Sequence, residues 1–231
     1  VVSMPDADQV REALRRCPLV VVSEAVADTD TVRLAHIKLP ALTWGEKEGT
    51  VTNSERRVSR QRIFLPPPGE AKPDWGAMTQ VARRLGFEAL FPYESPAAIF
   101  REHAALSGFE NEGRRDFDIS ALADLADDDY DALPPVQWPL PRGATMGVMR
   151  LFGEGGFFTA DGKARCIAVG ERTPIHAVDD NFPLILNSGR IRDQWHTMTR
   201  TGKTARLTGH IPEPYVEIHP VDALACGVSE N

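Results

Sequence analysis

Leu19-Val20-Val21-Val22 is a continuous apolar run behind Pro18, which predicts a short strand buried on both faces, as in a parallel sheet. Before it, Asp6 to Arg16 reads as a helix, with Asp6 or Asp8 as cap and Val10, Ala13 and Leu14 on one face. Thr31 to Ala35 suits a helical turn, and Ile37 to Leu39 a strand ended by Pro40. Trp44 to Arg62 is charge-dense and punctuated by Gly49, the pattern of an exposed loop and hairpin. Asp74 is placed to cap an amphipathic helix, Trp75 to Leu85, with Met78, Val81, Ala82 and Leu85 along one face and Gly86 as its stop. A second helix runs from Ser95 to Leu106, with Ser95 as cap and Pro96 in its first position. Ile119 to Leu125 is a shorter third. Later periodicity is β-like. Phe157-Phe158, the Asp161-Gly162 turn and Ala164 to Val169 suggest a hairpin, and Leu184 to Asn187 and Tyr215 to Ile218 suggest further strands.

This order predicts an α/β architecture: part of a doubly wound domain, then the opening strands of a mostly β domain. The change of character lies at Asp127 to Pro141, where an acidic run precedes Pro134, Pro135, Pro139 and Pro141. The boundary is accordingly set at 140, giving domains 1–140 and 141–231.

Composition narrows the function. A net charge of -7 argues against nucleic-acid and anionic-membrane partners. No apolar run is long enough to span a bilayer, and Val1 to Gln9 does not read as a signal peptide, so a cytoplasmic location is expected. Cys17, Cys166 and Cys226 are scattered, with no Cys-x-x-Cys pair. They are read as buried small hydrophobes in a reducing compartment, and no metal site is expected in this chain. Both ends read as cut, so an internal piece of a longer polypeptide is expected.

Chemistry concentrates between Leu184 and Thr201, where an apolar strand ends in a Ser-Gly-Arg turn. Aromatic, imidazole, hydroxyl and guanidinium groups follow without apolar period. Gly189 lets backbone approach a ligand. Arg190, Arg192 and Arg200 are planar donors for phosphate or a polar heterocycle. Trp195 and His196 add flat faces and a directional donor. A second candidate is Ser23-Glu24 at the carboxyl end of the first strand, where ligands of open α/β sheets bind. From the residues alone, Glu24 and Lys47 could equally be solvated loop charges, and Asp74 simply a helix cap.

Ser-Gly-Arg-x-x-x-x-Trp-His-Thr, carried by Ser188, Gly189, Arg190, Trp195, His196 and Thr197, resembles the pterin-wrapping segment of the molybdopterin dinucleotide-dependent oxidoreductases. Five earlier segments resemble the same family in order: Ser23-Glu24, Ala35 to Pro40, Trp44 to Gly49, Asn53 to Arg57, and Pro68 to Ala71 with Asp74. Glu24 stands for the more usual Asp, and His36 and Lys38 interrupt a segment that is normally acidic then apolar. Thr50 to Arg57, Ser95 to Phe109 and Arg192 to Arg200 look most like bacterial assimilatory nitrate reductases; formate dehydrogenase large subunits share much of the pattern.

The resemblance implies that the second domain is the start of a double-psi barrel-like, molybdopterin dinucleotide-binding domain. It implies that Ser23, Glu24, Lys47 and Asp74 contact the guanosine-bearing cofactor. It places Ser188, Gly189, Arg190, Gln194, Trp195, His196, Thr197, Met198, Thr199 and Arg200 at a pterin. The implied cofactor is bis-molybdopterin guanine dinucleotide with molybdenum, and a [4Fe-4S] cluster would lie in the parent protein outside this chain. The implied reaction is nitrate to nitrite, with ferredoxin, flavodoxin or a nicotinamide-linked flavoprotein subunit as electron donor. No catalytic residue is expected here, and the chain alone is expected to be inactive. A formate dehydrogenase catalytic subunit, a non-catalytic scaffold relative and a small stand-alone interaction module are the alternatives.

Overall fold

A computed structural model describes residues 4–195, 197–198 and 201–229. Two compact units are resolved, one spanning Arg11–Ala168 and one combining Val1–Val10 with Val169–Asn231.

The larger unit holds every strand found among the described residues. Helix α1 (Ala7–Arg16) leads into β1 (Val21–Glu24), which pairs in parallel with β2 (Ile37–Pro40). Asp6 Oδ1 accepts from the Gln9 amide at 3.3 Å, as a cap should, but no residue of α1 is buried. The apolar run beside Pro18 forms half of a two-stranded sheet. Its burial on both faces is not found: Val20 is buried, while Leu19 and Val21 are exposed. A parallel strand is covered on two sides only where further strands and helices pack on it.

The expected hairpin is β3 (Gly49–Thr52) and β4 (Arg57–Gln61), antiparallel, extended by β5 (Val136–Gln137). Arg56, at the turn, adopts φ 66°. Helix α2 is Asp74–Arg84 and α3 is Pro96–Gly108. Ser95 caps α3 as expected, its hydroxyl accepting from the Ala98 amide at 3.2 Å. The expected third helix at Ile119 shrinks to a single 3-10 turn, Ser120–Leu122, and a short α4 (Asp127–Ala132) forms in the acidic run. The core lies under α3, where Phe100 and Ala104 meet Val58, Ile119, Tyr130 and Leu140. The expected apolar face of α2 contributes little to it: Ala82 is buried, whereas Met78, Val81 and Leu85 are exposed.

Among the described residues, no strand follows Gln137. Residues 164–169, 184–187 and 215–218, expected as strands, carry no ladder, because strand pairing needs a partner that local sequence cannot supply. Among the described residues after Ala168, the α-helices are α5 (Ala205–Thr208) and α6 (Pro220–Ala225). All three cysteines are exposed, contrary to the expected burial. Among the described residues no helix is long and apolar enough to cross a membrane.

Candidate functional site

Asp74 is the centre of the first site, and it reaches that position because it is not the helix cap. Pro73 occupies the cap with extended backbone, so Asp74 is the first residue inside α2. Its carboxylate is free to turn outward. Ser23 Oγ, at the end of β1, donates to Asp74 Oδ1 at 3.0 Å. Lys47 Nζ donates to Asp74 Oδ2 at 3.1 Å. Three of the four expected residues thus form one hydroxyl–carboxylate–ammonium cluster at a sheet end.

Backbone pairing brings these segments together. Ser23 stands opposite Leu39 in the β1–β2 register. Beyond β2, the Lys72 amide donates to the Pro40 carbonyl at 3.0 Å, and the Leu42 amide donates to the Lys72 carbonyl at 3.1 Å. That pairing carries α2, and with it Asp74, alongside β1. Lys47 is placed by a second device. Thr43 and Glu46 form a capping box around the 3-10 turn Trp44–Glu46. From β4, Gln61 Nε2 donates to the Trp44 and Lys47 carbonyls at 2.7 and 3.1 Å. A Cβ at Gly45 would lie 2.8 Å from the Phe64 ring, so that exposed side chain would have to shift to admit one. Gln61 and Gly45 were not recognised from sequence. Gln61 carries no local signal, because its role depends on a hairpin folding over a loop 14 residues earlier.

The cluster's electrostatics favour the ionised acid. Partial burial pushes the Asp74 carboxyl up, but hydrogen bonds from Lys47 and Ser23, with the Lys47 charge, outweigh it and hold the carboxyl below its ordinary value. Glu24 does not join the cluster. Its Oε1 accepts from its own Ala25 and Val26 amides at 2.8 and 3.3 Å.

The second site is the run from Ser188. Ser188, Gly189 and Arg190 are exposed, and a Cβ on Gly189 would meet nothing within 4 Å. Arg192 donates to Asp193, which also pairs with His210. The Arg192 hydrogen bond, with help from His210, holds the Asp193 carboxyl below its usual range. Gln194 is buried, and neither its Nε2 nor its Oε1 has a hydrogen-bond partner. The Trp195 amide donates to Thr201 Oγ1 at 3.0 Å while the indole lies largely exposed. Thr197 is half-buried, and Met198 takes φ 53°, turning the chain so that its carbonyl accepts from Gly202. His196, Thr199 and Arg200 lie outside the described residues.

Both sites suit a phosphate-bearing heterocyclic cofactor. The first offers a cation, a hydroxyl and an anionic acceptor. The second offers an unpaired buried amide, which costs about 1–3 kcal/mol unless a partner satisfies it, and along the same run an exposed indole and an open glycine. Among the described residues no group of His, Cys, Asp and Glu could hold a metal ion.

Residues 1–84 match the family model for molybdopterin oxidoreductase, and residues 184–231 match that for the molydopterin dinucleotide binding domain. The chain is 57% identical over 224 residues to a nitrate reductase of Klebsiella oxytoca, covering 96% of this chain and 25% of that protein. It is 33% identical over 223 residues to the F420-dependent formate dehydrogenase subunit alpha of Methanocaldococcus jannaschii, covering 96% of this chain and 31% of that one. Acetylene hydratase from Pelobacter acetylenicus shares the fold with a TM-score of 0.68 at 20% identity, over 97% of this chain and 30% of that structure. The chain spans about a quarter of the nitrate reductase relative's length. By these two segments it belongs to the molybdopterin oxidoreductases.

Proposed function

From that membership we propose that this chain is the cofactor-holding part of a molybdenum-dependent nitrate reductase. The higher identity to the nitrate reductase than to the formate dehydrogenase subunit supports this branch. The observation that carries a binding role is the Ser23–Asp74–Lys47 cluster. Its carboxylate suits the N–H donors of a guanine or the hydroxyls of a ribose, and Lys47 offsets part of a diphosphate's charge. Glu24 would have to exchange its own-turn amides for the ligand. In the second segment Ser188, Arg190 and the Gln194 amide are the groups for a pterin's heteroatoms, and Trp195 gives it a face.

The bound cofactor would supply molybdenum redox chemistry, taking an oxygen atom from nitrate. The residues of this chain bind and orient it. Nitrate as substrate, a ferredoxin, flavodoxin or nicotinamide-linked flavoprotein donor, a [4Fe-4S] cluster elsewhere in the polypeptide and a cytoplasmic location complete the proposal.

The test is nitrite production by the full-length native polypeptide driven by a reduced viologen dye. Nitrite that tracks molybdenum content is expected. A molybdenum-loaded protein inert toward nitrate but active on formate would move the assignment to formate. A protein that takes up no molybdenum would be a scaffold.

A further inference from the structure

Val20 is buried at the entry to β1, and its amide has an unusual acceptor: the His36 ring, through Nδ1, at 2.9 Å. The same two residues are joined by backbone, with the His36 amide donating to the Val20 carbonyl at 2.9 Å and Ile37 adding a second bond at 3.2 Å. Side chain and main chain of His36 therefore clamp Val20 from both sides. A ring nitrogen can accept only while it carries a lone pair, so this bond requires Nδ1 unprotonated and the remaining ring proton on Nε2.

We propose that His36 is a proton-operated latch on β1, in which uptake of a proton at Nδ1 releases the Val20 amide. The ring is exposed, so solvent protons reach it. Among the described residues no carboxylate stands within ion-pair range of the ring. The acids of neighbouring segments are otherwise engaged: Asp28 and Asp30 with Arg33, Glu12 with Arg15 and Arg16, and Glu24 with its own turn. The cation on the paired strand is Lys38, two residues along, opposite Val22. Protonation at Nδ1 takes away the lone pair that accepts from the Val20 amide, so that bond is lost. The released strand end lies three residues before Ser23, the Asp74 donor, so the latch links pH to the geometry of that cluster.

The test is hydrogen–deuterium exchange of the full-length polypeptide, read by mass spectrometry on peptides covering Pro18 to Glu24. Labelling is corrected for the intrinsic pH dependence and runs from about pH 8 to about pH 5, across the histidine range. The wild-type protection is expected to fall several-fold, up to about tenfold, as one hydrogen bond is lost. His36→Asn offers a non-titrating carbonyl acceptor and should keep protection flat. His36→Phe should be low throughout. Wild-type protection that stays flat, or that falls equally in His36→Asn, overturns the latch.

Discussion

Ser23 and Asp74 are 51 positions apart, yet Ser23 Oγ donates to Asp74 Oδ1 at 3.0 Å. That bond joins the end of β1 to the first turn of α2, and Lys47 closes the group from the other carboxylate oxygen. A side chain spent on capping its own helix could not do this; the cap passes to Pro73.

The Asp74 carboxyl titrates below its ordinary value in the folded chain. A lowered folded value means that the associated stabilisation is present above the unfolded-chain value and is lost as pH falls through the folded one. Lys47→Met removes the hydrogen bond and the charge while leaving partial burial, so the Asp74 titration should move upward. Carboxyl carbon NMR on the labelled chain reads this directly, and an unmoved titration would refute the assigned cause.

Asp74→Ala should separate binding from folding. The helix keeps its cap residue and the Asp74 side chain is largely exposed, so the cost in stability should stay within about 1 kcal/mol. In the full-length polypeptide the retained guanine dinucleotide should drop by about tenfold or more, the scale of a lost hydrogen bond to a charged group. Nucleotide released by acid and quantified by chromatography gives the answer; unchanged retention would remove Asp74 from the cofactor site.

Gln194→Leu is expected to behave oppositely in two assays. With both amide atoms buried and unpaired, a leucine of similar size should leave the isolated chain equally stable, or more stable by about 1 kcal/mol. Cofactor retention by the full-length protein should fall. Denaturant unfolding and molybdenum content measure the two arms, and a destabilised isolated chain would show that Gln194 has a partner within the fold.

Gly147→Ala should damage the larger unit with no loss of polar chemistry. A Cβ at Gly147 would overlap the Gln137 carbonyl oxygen, and backbone cannot give way there cheaply. Arg56 fixes the same stretch, donating to the carbonyls of Trp138, Val148 and Met149 at 3.1, 2.7 and 3.2 Å. The expected loss is about 2 kcal/mol or more in urea unfolding. A loss within about 0.5 kcal/mol would mean that the 144–149 segment moves aside.

Arg60→Met tests the buried guanidinium beneath the hairpin. Its side chain is 2% exposed, contacts Glu48 and Asp131, and lies 3.9 Å over the Tyr130 ring. Removing it should cost about 2–3 kcal/mol, discounted from the fully buried case because both carboxylates remain partly solvated. Thermal unfolding decides it.

Local signals determined the local facts. Ser95-Pro96 set the start of α3, Gly86 follows the end of α2 with φ 89°, and the charge-dense stretch punctuated by Gly49 marked the β3–β4 hairpin. Each depends on interactions between segments adjacent in the chain, which sequence records in order. The order of Ser23, Lys47, Asp74 and the Ser188 to Trp195 run was also legible, because residue type and spacing identify a family without needing contacts. Tertiary structure alone decided what those residues do in space. Asp74 read as a cap and is instead a partner of Ser23 and Lys47; Glu24 read as its companion and folds onto its own turn. The apolar runs at 184–187 and 215–218 read as strands and carry no ladder. A hydrogen bond between distant segments depends on which backbones the fold sets side by side, and no local pattern of side chains contains that information.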